Sequence, residues 1–192
     1  MSKEGKNGVT ATTPKNVVFG AGTIHKGLKD TNGTWNYAES LVGATNGGSK
    51  LSIVPEVYKV PVDGANVAAK GLTVKNGEVA TMEVNFAELN IDIIKAAALG
   101  AEVEYTEDSY TMIESKASID EGDYWENIAF VGRTLDGERI RAILPNALCT
   151  SGFELEGKNK EGAVLKCTFE CHAELDSDLD TLPWQIIYPD RV

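Results

Sequence analysis

The stretch "GLTVKNGEVATMEVNFAELNIDIIKAAALG", residues 71–100, carries both of the periods a folding chain can use. From Val79 to Phe86 apolar and polar residues alternate, which puts Met82, Val84 and Phe86 on one face of a β-strand. "KNGE" at 75–78 reads as a two-residue hairpin turn, because Asn76 and Gly77 both accept positive φ, and it is expected to join "GLTV" to "VATMEVNF". After Leu89 the spacing turns helical. Asn90 suits an N-cap, Asp92 suits the positive end of the helix dipole, and Gly100 can end the segment. Ile91, Ile94 and Ala98, with neighbouring Leu99, supply the expected apolar stripe. A helix this short, about residues 90–99, cannot stand alone and must pack on a sheet.

Around this stretch the chain is mostly short alternating runs separated by turn signals. "LDGE" at 135–138 repeats the hairpin device between "IAFVGRT" and "RIRAIL". "GKNKEG" at 157–162 is a looser hairpin joining "GFELE" to "KCTFEC". "FGAGT" at 19–23 is glycine-rich, but no helix follows to bind a phosphate, so it reads as a flexible strand start or bulge. The expected fold is mainly β, an antiparallel sandwich or barrel with one short flanking helix. Residues 1–15 are small, polar and without period, and are expected to form an arm; residues 16–192 form one domain. Residues 29–50 form a long loop that carries Trp35 and Tyr37, available either for docking or for folding back on the sheet.

Acidic residues outnumber basic ones, 29 to 18, for a net charge of −11. Such a surface repels nucleic-acid phosphates and argues against a protein that grips DNA or RNA. The first residues lack the apolar run of a signal peptide, and no window is long and apolar enough for a membrane span. Three cysteines, all late in the chain, do not form a disulfide framework and suit a reducing cytoplasm.

"KCTFECHAELD", residues 166–176, gathers sulfur, imidazole and carboxylates. Read as a strand, it turns Cys167, Phe169, Cys171, Ala173 and Leu175 one way and Thr168, Glu170, His172 and Glu174 the other. Zinc ligands must converge on one point, which this pleat forbids; Cys149 could join the two thiols, but a fourth ligand is missing. "ELDSDLD" at 174–180 begins like a calcium loop, yet Thr181 stands where that loop needs glycine and Ile187 where it needs glutamate. The acids Glu102, Glu104, Glu107 and Asp108 show no specific pairing, and neither His25 nor His172 has a motif partner. No catalytic residue, metal or cofactor is expected.

Three stretches carry a resemblance. "KNVVFGAGTIHKGL" resembles the opening of the major tail proteins of long-tailed bacteriophages, and "VATMEVNFAELNIDIIKAAALG" their strand-then-helix segment. "GERIRAILPNALCTSGFELEGKNKEGAVLKCTFECHAELDSDLDTLPWQII" is similar to their C-terminal hairpin and closing strand. The resemblance implies the tail-tube fold, shared with the type VI secretion tube protein, and a structural virion protein without enzymatic activity. It implies hexameric rings stacked into a hollow tube, contacts with the tape measure, tail terminator and distal tail proteins, and assembly in the host cytoplasm. Residues 1–15, 29–50 and 183–192 would touch neighbouring subunits, with Trp35 and Tyr37 as the loop contacts. Glu170 and Glu174 would face the lumen, an acidic wall past which DNA slides, while Cys167, Phe169 and Cys171 pack inside under the helix. The rival expectation is a monomeric carbohydrate- or protein-binding module that uses Trp35 and Tyr37.

Overall fold

The computed structural model describes residues 8–107, 109–157 and 159–190. The expected arm therefore falls partly outside the described residues; its remainder leads into a one-turn helix, α1 (Thr13–Asn16). The main sheet has seven strands: β1 (Val18–His25), β4 (Thr45–Lys59), β5 (Thr73–Phe86), β8 (Trp125–Thr134), β9 (Arg139–Cys149), β10 (Leu165–Cys171) and β11 (Gln185–Ile187). Its order is β1-β8-β9-β10-β5-β4, all antiparallel. β11 pairs with the first half of β9 while β10 pairs with the second half, so one edge of β9 serves two partners. The sheet curls until its edge strands β1 and β4 approach each other. The chain is thus mainly β, as expected. Two small ribbons, β2 (Asp30–Thr31) with β3 (Thr34–Trp35) and β6 (Gly100–Val103) with β7 (Met112–Ser115), lie off the main sheet.

The one sizeable helix among the described residues, α3 (Ile91–Ala98), falls where the sequence puts it. The Asn90 side chain accepts the Ile93 N–H at 2.9 Å and donates to the Val42 carbonyl at 3.1 Å, which caps the helix and ties it to the connection leading into β4. The left-handed C-cap is Leu99, at φ 49°, and not Gly100. The apolar stripe is also corrected. Ile93, Ala96 and Ala97 are buried, whereas Ile91 is exposed, because the helix docks through the face rotated away from Ile91.

Three strand expectations need revision. Asn76 and Gly77 make no turn: β5 runs straight through them, pairing with β4 from Thr73 to Phe86. Between Glu56↔Gly77 and Val57↔Lys75 the register slips, so Asn76 is the extra residue of a bulge. The real turn lies between Lys59 and Thr73. "GFELE" is not a strand; residues 150–157 and 159–164, between β9 and β10, hold no helix or strand. The expected 29–50 loop is shorter, because β4 already begins at Thr45, and its middle holds β2, β3 and a one-turn helix, α2 (Tyr37–Ser40).

The other turn signals hold. "LDGE" closes the β8–β9 hairpin, where Gly137 takes φ 94° and Thr134 N–H donates to the Glu138 carbonyl at 2.9 Å. "FGAGT" is a bulge, with the β1–β8 register shifting between Phe19 and Thr23. Gly22 there takes φ 68°, and an added Cβ would stand 2.3 Å from the Phe130 ring.

Inside the curl, Met82, Val84 and Phe86 of β5 meet Cys167 and Phe169 of β10, Trp125 and Ile128 of β8, and Ile93 of α3. The cysteines therefore pack under the helix as the alternation requires. Trp125 and Ile128 are three residues apart yet both point inward, as do their partners Ala147 and Leu144. Between them Asn127 takes φ 47° opposite Pro145, which lacks an N–H, and the ladder changes face there. Beyond that corner the opposite face becomes apolar as well. Ala129, Val131 and Ile143 form a second cluster, covered by Leu28, Trp35 and Tyr37 from the 26–44 segment.

Candidate functional site: an arginine face and an apolar ribbon

The chain contains four arginines, Arg133, Arg139, Arg141 and Arg191, and the three described ones share one patch. The β8–β9 register sets Arg133 directly opposite Arg139, and Arg141 opposite Val131. Opposed residues share a face, so all three guanidiniums leave the sheet on the side of the second cluster. Trp35 and Tyr37 fold back to support them. The guanidinium of Arg139 lies 4.5 Å from the Tyr37 ring centre and that of Arg141 4.7 Å from Trp35, while Arg141 Nε donates to the Tyr37 hydroxyl at 2.5 Å. Among the described residues, no carboxylate pairs with Arg133 or Arg139. Like charges set directly opposite destabilise a sheet, so an anionic partner here would be favoured.

Beside them opens a cavity of about 460 Å³, walled by Phe19, Thr23, His25, Leu41, Arg133 and Arg139. His25 is 3% exposed and lies between two hydroxyls, with Nδ1 2.9 Å from Ser40 Oγ and Nε2 2.9 Å from Thr23 Oγ1. Ser40 Oγ donates to the Asn36 carbonyl at 2.8 Å, so it accepts from His25 Nδ1–H, and Nε2 accepts from Thr23. This neutral ring pins α2 to β1. Burial holds it below the ordinary histidine value of 6.5. Above that value both folded and unfolded chains carry a neutral ring; below it the unfolded chain takes the proton first. Stability is therefore expected to fall as pH drops through 6.5 and below. Proton NMR of the His25 ring checks the cause: a midpoint at or above 6.5 would contradict it.

The second surface was not foreseen. β10 covers β5 only from Thr81 to Phe86, so residues 53–59 and 73–80 project past it as a two-stranded ribbon. Val54 opposes Val79 and Tyr58 opposes Val74, all on one face and 57%, 48%, 52% and 45% exposed. Val57, Val60, Val62 and Val67 around the tip are exposed too. A lone apolar ribbon is marginal in water, and exposed apolar patches of this kind mark interaction sites. The sequence signal was the valine-rich run at 53–62, masked by the stronger turn signal of Asn76-Gly77.

The other expected residues are placed as follows. Glu170 is half-buried on the outer face of β10, opposite Leu148, and Glu174 is exposed and accepts from Asn146 Nδ2 at 2.6 Å. Leu148 and Asn146 are two apart on β9, so both glutamates lie on the same side of the sheet. β10 ends at Cys171, so the alternation expected to carry on to Leu175 stops, and Leu175 is 93% exposed. His172 packs edge-on to Tyr124, with ring centres 5.4 Å apart. All three cysteines are buried and free. Burial pushes Cys171 up to about 11, and hydrogen bonding to Cys149 together with burial raises Cys167. Those two thiols stay protonated near neutral pH. Among the described residues no group of three or more His, Cys, Asp or Glu side chains is placed to hold a metal, and no helix is long and apolar enough to cross a membrane.

No protein-family model matches this chain, and no curated protein matches it.

Proposed function

We propose that this chain is the repeating subunit of a long-tailed phage tail tube, assembled in the host cytoplasm into stacked hexameric rings and carried in the virion tail. The observation that supports this most is the projecting ribbon, whose Val54, Tyr58, Val74 and Val79 face water on an isolated chain. An apolar arm of this kind is stabilised by burial against another copy, at roughly 25 cal/mol per Å² covered. The curled sheet offers β1 and β4 as edges for joining neighbouring copies. Glu170 and Glu174, on one side of the sheet, are the acids assigned to the lumen, where a net charge of −11 denies passing DNA a grip. Contacts with the tape measure, tail terminator and distal tail proteins follow from the same role.

The monomeric binding module is the weaker reading. Trp35 and Tyr37, its contact aromatics, give their ring faces to Arg141 and Arg139 and do not form an open platform.

Negative-stain electron microscopy of the purified chain over rising concentration tests the proposal. Rings or hollow tubes of uniform width are expected. Compact single particles at every concentration, together with monomer mass by light scattering, would count against it.

A further inference from the structure

We propose that the arginine face of one copy receives the acidic segment 174–181 of a second copy. The inference rests on the self-assembling reading above and names one of its contacts. Residues 174–181 read ELDSDLDT, with carboxylates at alternate positions and two bare leucines, Leu175 at 93% and Leu179 at 65% exposure. That is the chemical inverse of the arginine face. There, Arg133 and Arg139 have no carboxylate partner among the described residues and lie beside a cavity whose rim carries Phe19 at 71% and Leu41 at 51% exposure. A leucine seated against Phe19 and Leu41 brings flanking aspartates within reach of guanidiniums that bind carboxylates in two-pronged fashion. It also relieves the repulsion of two opposed arginines.

The two halves cannot meet within one chain. Glu174 is tethered to Asn146 near the far end of β9, while Arg139 begins that strand. Seven residues of β9 separate them, roughly 24 Å at 3.4 Å per residue. The other end of the segment is held on the opposite face of the sheet, where Leu182 N–H donates to Glu78 Oε1 at 3.1 Å and Leu182 and Trp184 pack against the main core, so neither end brings it to the arginines. The partner must be another copy. A contact between two different patches is head-to-tail, and repeated by rotation it closes into a ring or continues as a filament.

The test is a charge exchange in the full-length chain. One variant carries Asp176→Lys, Asp178→Lys and Asp180→Lys; the second carries Arg133→Glu and Arg139→Glu; the third carries all five. The three aspartates are exposed, so the first variant folds whatever becomes of the arginine pair. Sedimentation velocity over a concentration series should show the first two variants assembling at a midpoint at least roughly tenfold higher than the unaltered chain. The third variant, or an equimolar mixture of the first two, should recover most of that loss. Unchanged midpoints in the first variant would overturn the contact while leaving the tail-tube reading intact. If the unaltered chain does not assemble at all, a peptide of residues 173–182 is titrated into it and followed by tryptophan fluorescence. Binding that needs Arg133 and Arg139 and weakens with salt supports the contact, and absence of binding overturns it.

Discussion

A chain carrying Val54→Thr, Tyr58→Thr, Val74→Thr and Val79→Thr is expected to stay monomeric where the unaltered chain assembles. These four side chains form two cross-strand pairs on one face of the projecting ribbon. Threonine keeps the preference for extended backbone while replacing apolar contact with hydroxyl. Buried aromatic and aliphatic anchors at the centre of an interface each carry more than about 1 kcal/mol, so losing four should raise the assembly midpoint by at least roughly 100-fold. The folded monomer should be little affected, because the four are already about half exposed and none belongs to either core cluster. Sedimentation velocity and thermal unfolding, run side by side, check both halves. Assembly that persists at the same concentration would remove the ribbon from the interface and with it the main support for the tube reading.

The second large effect is on stability. Phe169→Ala is expected to cost about 3–5 kcal/mol, since it empties a fully buried site and removes a ring 4.8 Å from that of Trp125. Against a typical total of about 5–15 kcal/mol, that is a large share, and the urea midpoint should drop accordingly. Leu175→Ala is the matched control. It lies on the same face as Phe169 by simple alternation, yet it is 93% exposed and should leave the midpoint within about 0.5 kcal/mol. Equal effects at the two positions would mean that β10 continues past Cys171 after all.

That contrast marks how far local pattern reaches. The alternation in β10 put Cys167, Phe169 and Cys171 in the core correctly, because the side-chain period of a strand is a property of its backbone. It gave no sign of where pairing stops: β10 ends at Cys171 although β5 and β9 both run on, and past Pro145 the same edge of β9 is taken by β11. Asn76-Gly77 shows the same limit from the other side. The dipeptide accepts a tight turn, but continued pairing with β4 makes better use of the backbone groups on either side, and the local preference is spent on a bulge.

The candidate surfaces were legible only in part. Three arginines within residues 133–141 are visible in the sequence, but their shared face depends on the β8–β9 register. Trp35 and Tyr37 stood out as aromatics in a polar stretch, and the sequence left open whether they docked outward or folded back. The two half-buried cations at Arg139 and Arg141, beside the apolar cluster of Ala129, Val131 and Ile143, decided it. By itself the sequence determined the fold class, the capped helix at Asn90, the Gly137 turn and the glycine bulge near Gly22. Each of these depends on residues within a few positions of one another. The tertiary structure alone decided the unsupported ribbon, the change of face at Asn127 and Pro145, and the gathering of three arginines beside a cavity. Each of those depends on which distant strand lies alongside, and no local pattern carries that information.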